Sequence, residues 1–252
     1  MRALLSVAGL SAWHRRFGLS FVVLSVALAT FLLLAVERVR HDVRENFSQS
    51  VSGTDLIVGA RTGAVQLMLY SVFRIGNATN NIRWSSVQAL ERDKAVAWVL
   101  PISLGDSHRS FPVVATTPAY FDHFHYGDRQ ALALAEGRRF DQVFDAVLGA
   151  EVAQRLGYRL GQRVVLSHGS GEIAGNDHTD KPFTVVGILE PTGTPVDRSV
   201  HIGLAGMEAI HLDWVMGAPL PAMAVPADKV GDHDLTPKTV TAALVGLKSR
   251  AA

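Results

Sequence analysis

Hydrophobic and polar positions divide this chain unevenly. Twenty consecutive residues, Phe17 to Val36, carry no charge and are mostly Leu, Val, Ala and Phe. A helix of that length rises about 30 Å, the thickness of a bilayer's hydrocarbon core. In lipid every backbone polar group needs a partner within the segment, so one apolar run of this kind predicts a membrane-spanning helix. Two other readings compete. A cleaved signal peptide has a shorter apolar core and a small-residue cleavage site, and Leu34-Ala35-Val36-Glu37 is a poor one. A buried helix of a soluble protein normally keeps a polar face, which this run lacks. Gly18, Ser25 and Ala29 fall on one side of the helix, where small residues let membrane helices pack closely.

Beyond the run the pattern becomes that of a folded domain. Polar residues from Arg38 to Gln49 carry the first helix onward. Gly53 to Gly59 reads as a short strand between glycines. Val65, Leu67, Met68, Leu69, Val72 and Phe73 put six apolar residues into nine positions, more than one helix face holds, so the segment is expected to include a surface that meets a second subunit and not to be core alone. Ser85 with Gln88 has capping-box spacing and opens a helix through Glu91, with Trp84 as its hydrophobic staple. Ala95–Leu104 and Ser110–Thr117 read as strands, with polar Gly105-Asp106-Ser107-His108 as the hairpin turn between them. Further strands are expected at Ala146–Gly149, Arg163–Ser167, Pro182–Leu189, Ser199–Ile202 and Thr239–Leu247. Helices are expected at Glu151–Leu156, stopped by Gly157, and at Ala205–Trp214. Residues 217–238 are Pro-rich and irregular. Strands and short helices interleave without a regular βαβ rhythm, so the fold class is α+β.

Charge sets the orientation. Residues 1–16 hold Arg2, Arg15 and Arg16 and no acid, while the charges from Glu37 to Glu45 cancel. The positive side stays in the cytoplasm, so residues 37–252 are expected outside it. Met1 to Trp13 mixes apolar residues with Arg2 and Ser6 and suits a short helix on the inner face. A net charge of +1 gives no electrostatic case for nucleic acid. The chain has no cysteine, which removes disulfides, thiolate metal sites and cysteine nucleophiles.

Little in the sequence demands catalysis. There is no P-loop, so ATP is not bound by that route. His168-Gly169-Ser170-Gly171 lacks the first glycine of a nucleophile elbow. The 10 histidines are the chemical oddity. His168, Asp177, His178 and Asp180 lie in or beside one polar loop, Gly169 to Lys181, with His201 on a later strand. Imidazole and carboxylate are ligands for zinc and other divalent metals, and a hairpin would fold His168 and His178 together with Asp177 or Asp180. Their ten-residue spacing matches no compact zinc signature, so solvated loop residues are the competing reading. The same holds for Asp122, His123 and His125, and for Glu208 with His211 at i and i+3 on one helix face.

Several of these segments, in order, resemble the exported domain of MacB/FtsX-like ABC transporter permeases. They are Gly53-Thr54-Asp55-Leu56-Ile57-Val58-Gly59-Ala60 with the following Gln66–Phe73 stretch, and Gly137-Arg138-Arg139-Phe140. Val147 to Ala153 with Leu156 and Gly161, Phe183 to Leu189, and Gly193 to Arg198 with Val200 complete the set. The resemblance implies a cytoplasmic segment 1–16, a transmembrane helix 17–36 and a two-lobed periplasmic core domain over 37–252. One lobe is expected near the membrane, built from the segments after the anchor and from Thr239–Leu247, with residues 125–185 forming the second. It further implies a bacterial inner-membrane protein, no enzymatic site and no cofactor of its own. ATP would be bound by a separate ABC ATPase subunit, and a second permease subunit and membrane lipid would be the other partners. Such permeases carry four membrane helices, three of them after the exported domain, so this sequence is expected to be the N-terminal part of one or a short natural product. The alternative is a membrane-anchored periplasmic module that binds a partner or a metal without ATP coupling.

Overall fold

The structure is a computed structural model that describes residues 10–11, 13–76, 80–169, 177–215 and 218–249. Most of the Met1–Trp13 segment, and residues 170–176 of the polar loop, lie outside the described residues.

The chain divides into two units, residues 1–47 and 48–252. The first is dominated by helix α1, Arg16–Ser50. It contains the whole uncharged run and continues through the polar residues after it, as the absence of any glycine or proline between Val36 and Ser50 allows. Arg16–His41 is long and apolar enough to cross a membrane, and its most apolar stretch is exposed among the described residues. A helix with leucine, valine and phenylalanine bare on every side cannot be a core helix of a soluble domain.

The second unit is mixed α and β. Its labelled elements, in chain order, are β1 Leu56–Gly59, α2 Ala64–Ser71, α3 Trp84–Glu91, β2 Val96–Ile102, β3 Asp106–His108 and β4 Phe111–Thr116. They continue with β5 Leu134–Gly137, β6 Asp145–Leu148, α4 Ala150–Leu156, β7 Arg163–Val164 and β8 Ser167–His168. The last are β9 Phe183–Leu189, β10 Val200–Gly203, α5 Leu204–Ile210 and β11 Ala242–Leu247.

Two sheets organise these elements. The smaller is an antiparallel set in the order β1-β11-β2, so β11 lies between the strand that follows α1 and the strand that follows α3. The larger has eight strands in the order β7-β9-β6-β10-β4-β3-β8, with β5 also paired to β9. Its β9–β6 and β10–β4 pairs are parallel and the others antiparallel. This sheet is not confined to residues 125–185. It includes β3 and β4 from before that stretch and β10 from after it, with β10 paired in parallel to β4. Strand β9 alternates buried and half-buried residues, with Phe183, Val185 and Leu189 inside. Strands β6 and β10 sit mid-sheet, and Val147, Leu148, Val200 and Ile202 are fully buried. One hydrophobic cluster runs from Val87 of α3 through Val113, Leu148, Phe183 and Ile202 to Val245.

Local signals placed most elements correctly. Helix α4 ends on Gly157 in the left-handed region at φ 68°, the expected C-terminal glycine. Gly149 before it packs so closely on the Val196 and Asp197 carbonyls that a Cβ would overlap them. Three expectations fail. The helix expected at Ala205–Trp214 ends at Ile210, and Trp214 lies in a short strand with Val215. Helix α3 begins at Trp84 with Arg83 as its N-cap and no side-chain cap, so Ser85 sits inside the first turn and the capping box is not used. The hairpin turn is not Gly105–His108 but Arg109-Ser110, at φ 47° and 70°. Two consecutive left-handed residues match the twist of the flanking strands, which frees residues 106–108 to pair as β3.

Candidate metal centre

That shift of the turn builds a site. In β3, Asp106 lies directly across from His168 of β8, in the register Ser107–Ser167 and Asp106–His168. The pairing closes with Gly169 N–H donating to the Gly105 carbonyl at 2.8 Å. The chain returns alongside β8: Asp177 bridges Ser167, and His178 N–H donates to the Leu166 carbonyl at 2.8 Å. The return brings His178 next to His168. The fourth residue arrives from α5. His211 follows that helix directly, and its ring Nδ1 lies 2.8 Å from the Met207 carbonyl. A carbonyl only accepts, so Nδ1 carries the proton and Nε2 is turned toward Asp106.

One ligand-type atom from each of Asp106, His168, His178 and His211 falls within 4.8 Å of the others. His168 Nδ1 is 3.0 Å from Asp106 Oδ1 and 3.2 Å from His211 Nε2. Asp106 Oδ2 is 3.6 Å from His211 Nε2 and 3.9 Å from His178 Nε2. The Trp214 indole packs against all three imidazoles, with centroids 5.0, 4.7 and 5.7 Å from His168, His178 and His211. The Asp106 and His178 side chains are 1% exposed, whereas His168 keeps 36% and His211 25%. The cluster is therefore closed below and open at one edge. A cleft of about 350 Å³ lined by Gly105, Asp106, Ser107 and Gly169 adjoins it.

The electrostatics are those of a carboxylate held ionised among bases. Burial pushes the Asp106 carboxyl up, but the His168 and His211 imidazoles outweigh it and bring it down to about 2. For His178 burial dominates and lowers the imidazole to about 4, so the ring is neutral. Burial also works against a charge on His211, yet its contact with Asp106 raises it above the ordinary value. Among the described residues, Asp106 Oδ2 and His178 Nε2 are buried polar atoms with no hydrogen-bond partner. Orphans of this kind cost about 1–3 kcal/mol each when nothing answers them.

Of the residues named from sequence, His168 and His178 come together and the two flanking acids do not join them. Asp177 accepts from the Ser167 hydroxyl at 2.5 Å. Asp180 turns to Lys181, 2.6 Å away, and Asp106 supplies the carboxylate instead. Lys181 is itself buried and also bonds both Asp213 oxygens, at 3.1 and 3.2 Å, which ties the His178 segment to the turn carrying His211 and Trp214. His201 lies in the core beside Tyr120. His123 stacks on Trp98, and Nδ1 of His125 sits 2.8 Å from the His123 carbonyl. Glu208 is not among the clustered residues, although His211, three positions on, is. The sequence offers His211 only as a partner of Glu208 and Asp106 only as a turn residue, because their convergence on His168 and His178 depends on strand register and on where α5 ends.

The apolar segment predicted to meet a second subunit is helical. Val65 and Leu69 are exposed, Leu67, Met68 and Phe73 half-buried, and Val72 buried. Val72, the C-cap of α2, is 4% exposed and packs in the core. Leu67 packs against Gly59 of β1.

The sequence model of MacB-like periplasmic core domains matches residues 19–228. Among solved structures, the periplasmic region of MacB from Actinobacillus actinomycetemcomitans is similar at 14% identity and a TM-score of 0.44, over 82% of this chain and 79% of that one. The extracellular domain of the noncanonic ABC-type transporter YknZ from Gram-positive bacteria is similar at 12% identity and a TM-score of 0.39, over 68% and 75%. No curated protein matches.

Proposed function

The chain belongs to the family of MacB-like periplasmic core domains, and from that premise we propose that it is a permease component of an ABC transporter driven by a separate ATPase. The observation that carries the reading is the pairing of a bare, membrane-length helix with a domain of this family in one chain. The sequence has no P-loop, so the nucleotide would be hydrolysed by another subunit. Movement of the membrane helix would then be passed to the folded unit outside the cytoplasm, and a second permease chain would complete the assembly. The arginines before the helix favour a cytoplasmic N-terminus and an exported folded unit in a bacterial inner membrane.

Two measurements test this. Reporter fusions at Arg16 and Ala252 are expected to report opposite compartments, and a cytoplasmic signal at Ala252 overturns the topology. Crosslinked membranes are expected to yield the chain with a P-loop ATPase whose turnover changes on association. A chain that is exported but never recovered with an ATPase favours the second reading, an anchored periplasmic module without ATP coupling. The histidine–aspartate cluster is the observation that keeps that reading in play.

A further inference from the structure

We propose that Asp106, His168, His178 and His211 bind one divalent transition-metal ion of the zinc class. This goes beyond the permease reading and does not depend on it, since either topology or ATP coupling can fail while the site still binds.

Three features of the cluster carry the inference. The first is spacing. Bonds of about 2.0–2.1 Å in a tetrahedron separate neighbouring ligand atoms by about 3.3–3.4 Å. His168 Nδ1 lies 3.0 Å from Asp106 Oδ1 and 3.2 Å from His211 Nε2, Asp106 Oδ2 lies 3.6 and 3.9 Å from the His211 and His178 Nε2 atoms, and one donor atom from each residue falls within 4.8 Å of the others, a spread that contraction around an ion would close. Two imidazole nitrogens and a carboxylate meeting this closely need either protons between them or a cation among them. The second is the orphaned pair. Asp106 Oδ2 and His178 Nε2 are buried, face one another across 3.9 Å, and have no hydrogen-bond partner among the described residues. A cation answers both at once. The third is preorganisation. Met207 fixes the His211 ring so that Nε2 is presented, strand register fixes His168 on Asp106, and Trp214 walls the three rings. A hydrogen bond from the far ring nitrogen to a carbonyl is the usual outer support of a metal-ligating histidine.

The donor set selects the ion. Three imidazoles and one carboxylate with no thiolate suit zinc and its first-row neighbours, while calcium and magnesium prefer oxygen alone. Four protein donors of these types favour zinc, which protein sites commonly hold with four such ligands. The bound ion would join the β3–β8 edge, the segment at His178 and the end of α5. The exposed edges of His168 and His211 leave it a way in and out.

The test uses the full chain in detergent, without a polyhistidine tag. Zinc titrated by calorimetry is expected to bind at one ion per chain and to raise the melting temperature. Cobalt(II) is expected to give the intense visible bands of a tetrahedral site. His168→Gln and His211→Gln, at partly exposed positions, are each expected to weaken zinc by about 100-fold or more, since even outer-shell partners of a metal are worth 10- to 100-fold. His233→Gln, exposed and outside the cluster, is expected to bind as the wild type does. Equal zinc affinity in wild type and both cluster variants overturns the proposal. So does a weak octahedral cobalt spectrum in the wild type, a result that needs no variant to fold.

Discussion

Two buried charged groups share one corner of the molecule and are treated differently. Lys181 and Asp213 are both inside, and each is answered: the ammonium contacts two carboxylates and Asp213 uses both oxygens. Asp106 is equally buried, but only one of its oxygens has a hydrogen-bond partner, and a neighbouring histidine nitrogen has none. The first arrangement is complete as it stands and serves the fold. The second is stable but unfinished, which marks it for a ligand and not for structure alone.

The largest expected effect breaks the completed group. Lys181→Ala leaves Asp213 buried without its cation and should cost about 3–5 kcal/mol in denaturant unfolding, as for other broken buried pairs. A loss below about 1 kcal/mol would mean that water already answers Asp213. Asp106→Asn should behave otherwise. It keeps the shape and removes the charge, so metal-free stability should fall by only about 1–2 kcal/mol, while zinc uptake is lost. If Asp106→Asn destabilises the metal-free chain as much as Lys181→Ala, the contrast between the two groups collapses.

A third buried group sharpens the comparison through pH. Burial lowers the His201 imidazole to about 3, and the Arg74 guanidinium beside it acts in the same direction, with Tyr120 packed on the ring. Folded His201 stays neutral below its ordinary value of 6.5, whereas the unfolded chain takes up the proton. Stability is thus present above pH 6.5 and is lost as the pH falls from there toward 3. Between pH 7 and pH 5.5 this contributes about 1 kcal/mol to the drop in unfolding free energy. His201→Leu should flatten that part of the profile, and an unchanged slope would assign it elsewhere. The smallest effect is expected at Val65, an apolar side chain left exposed on α2. Val65→Asp should change stability by less than about 0.5 kcal/mol yet reduce self-association in sedimentation, if this surface meets a second copy.

What was legible in the sequence follows from how local each cause is. The membrane-length helix depends only on its own composition, and Gly157 stops α4 by its own backbone freedom. Strands such as Phe183–Leu189 announced themselves by β-branched residues between turn signals. The site was half legible. His168 and His178 stood out as ligand types in one loop, but Asp106 lies 62 positions from His168 and His211 lies 43 from it. Their convergence is a product of strand register, which no short window records. Asp180 looked the better carboxylate because it is near in sequence. It is claimed by Lys181, whose burial could not be read from a polar stretch.

The position of β11 has a mechanical consequence. It runs antiparallel to β1, with Leu56 opposite Val245, and Leu247 N–H donates to the Asp55 carboxylate at 2.8 Å. The first strand of the folded unit and its last therefore offer their outer ends at the same point. A pull that separates residue 55 from residue 247 loads the β1–β11 hydrogen bonds one after another, like a zip. A pull that moves both ends together loads none of them, and passes through β11 into its six-residue register with β2. The small sheet is thus compliant to opening and stiff to displacement as a body, so a tug shared by both ends shifts the sheet without unravelling it.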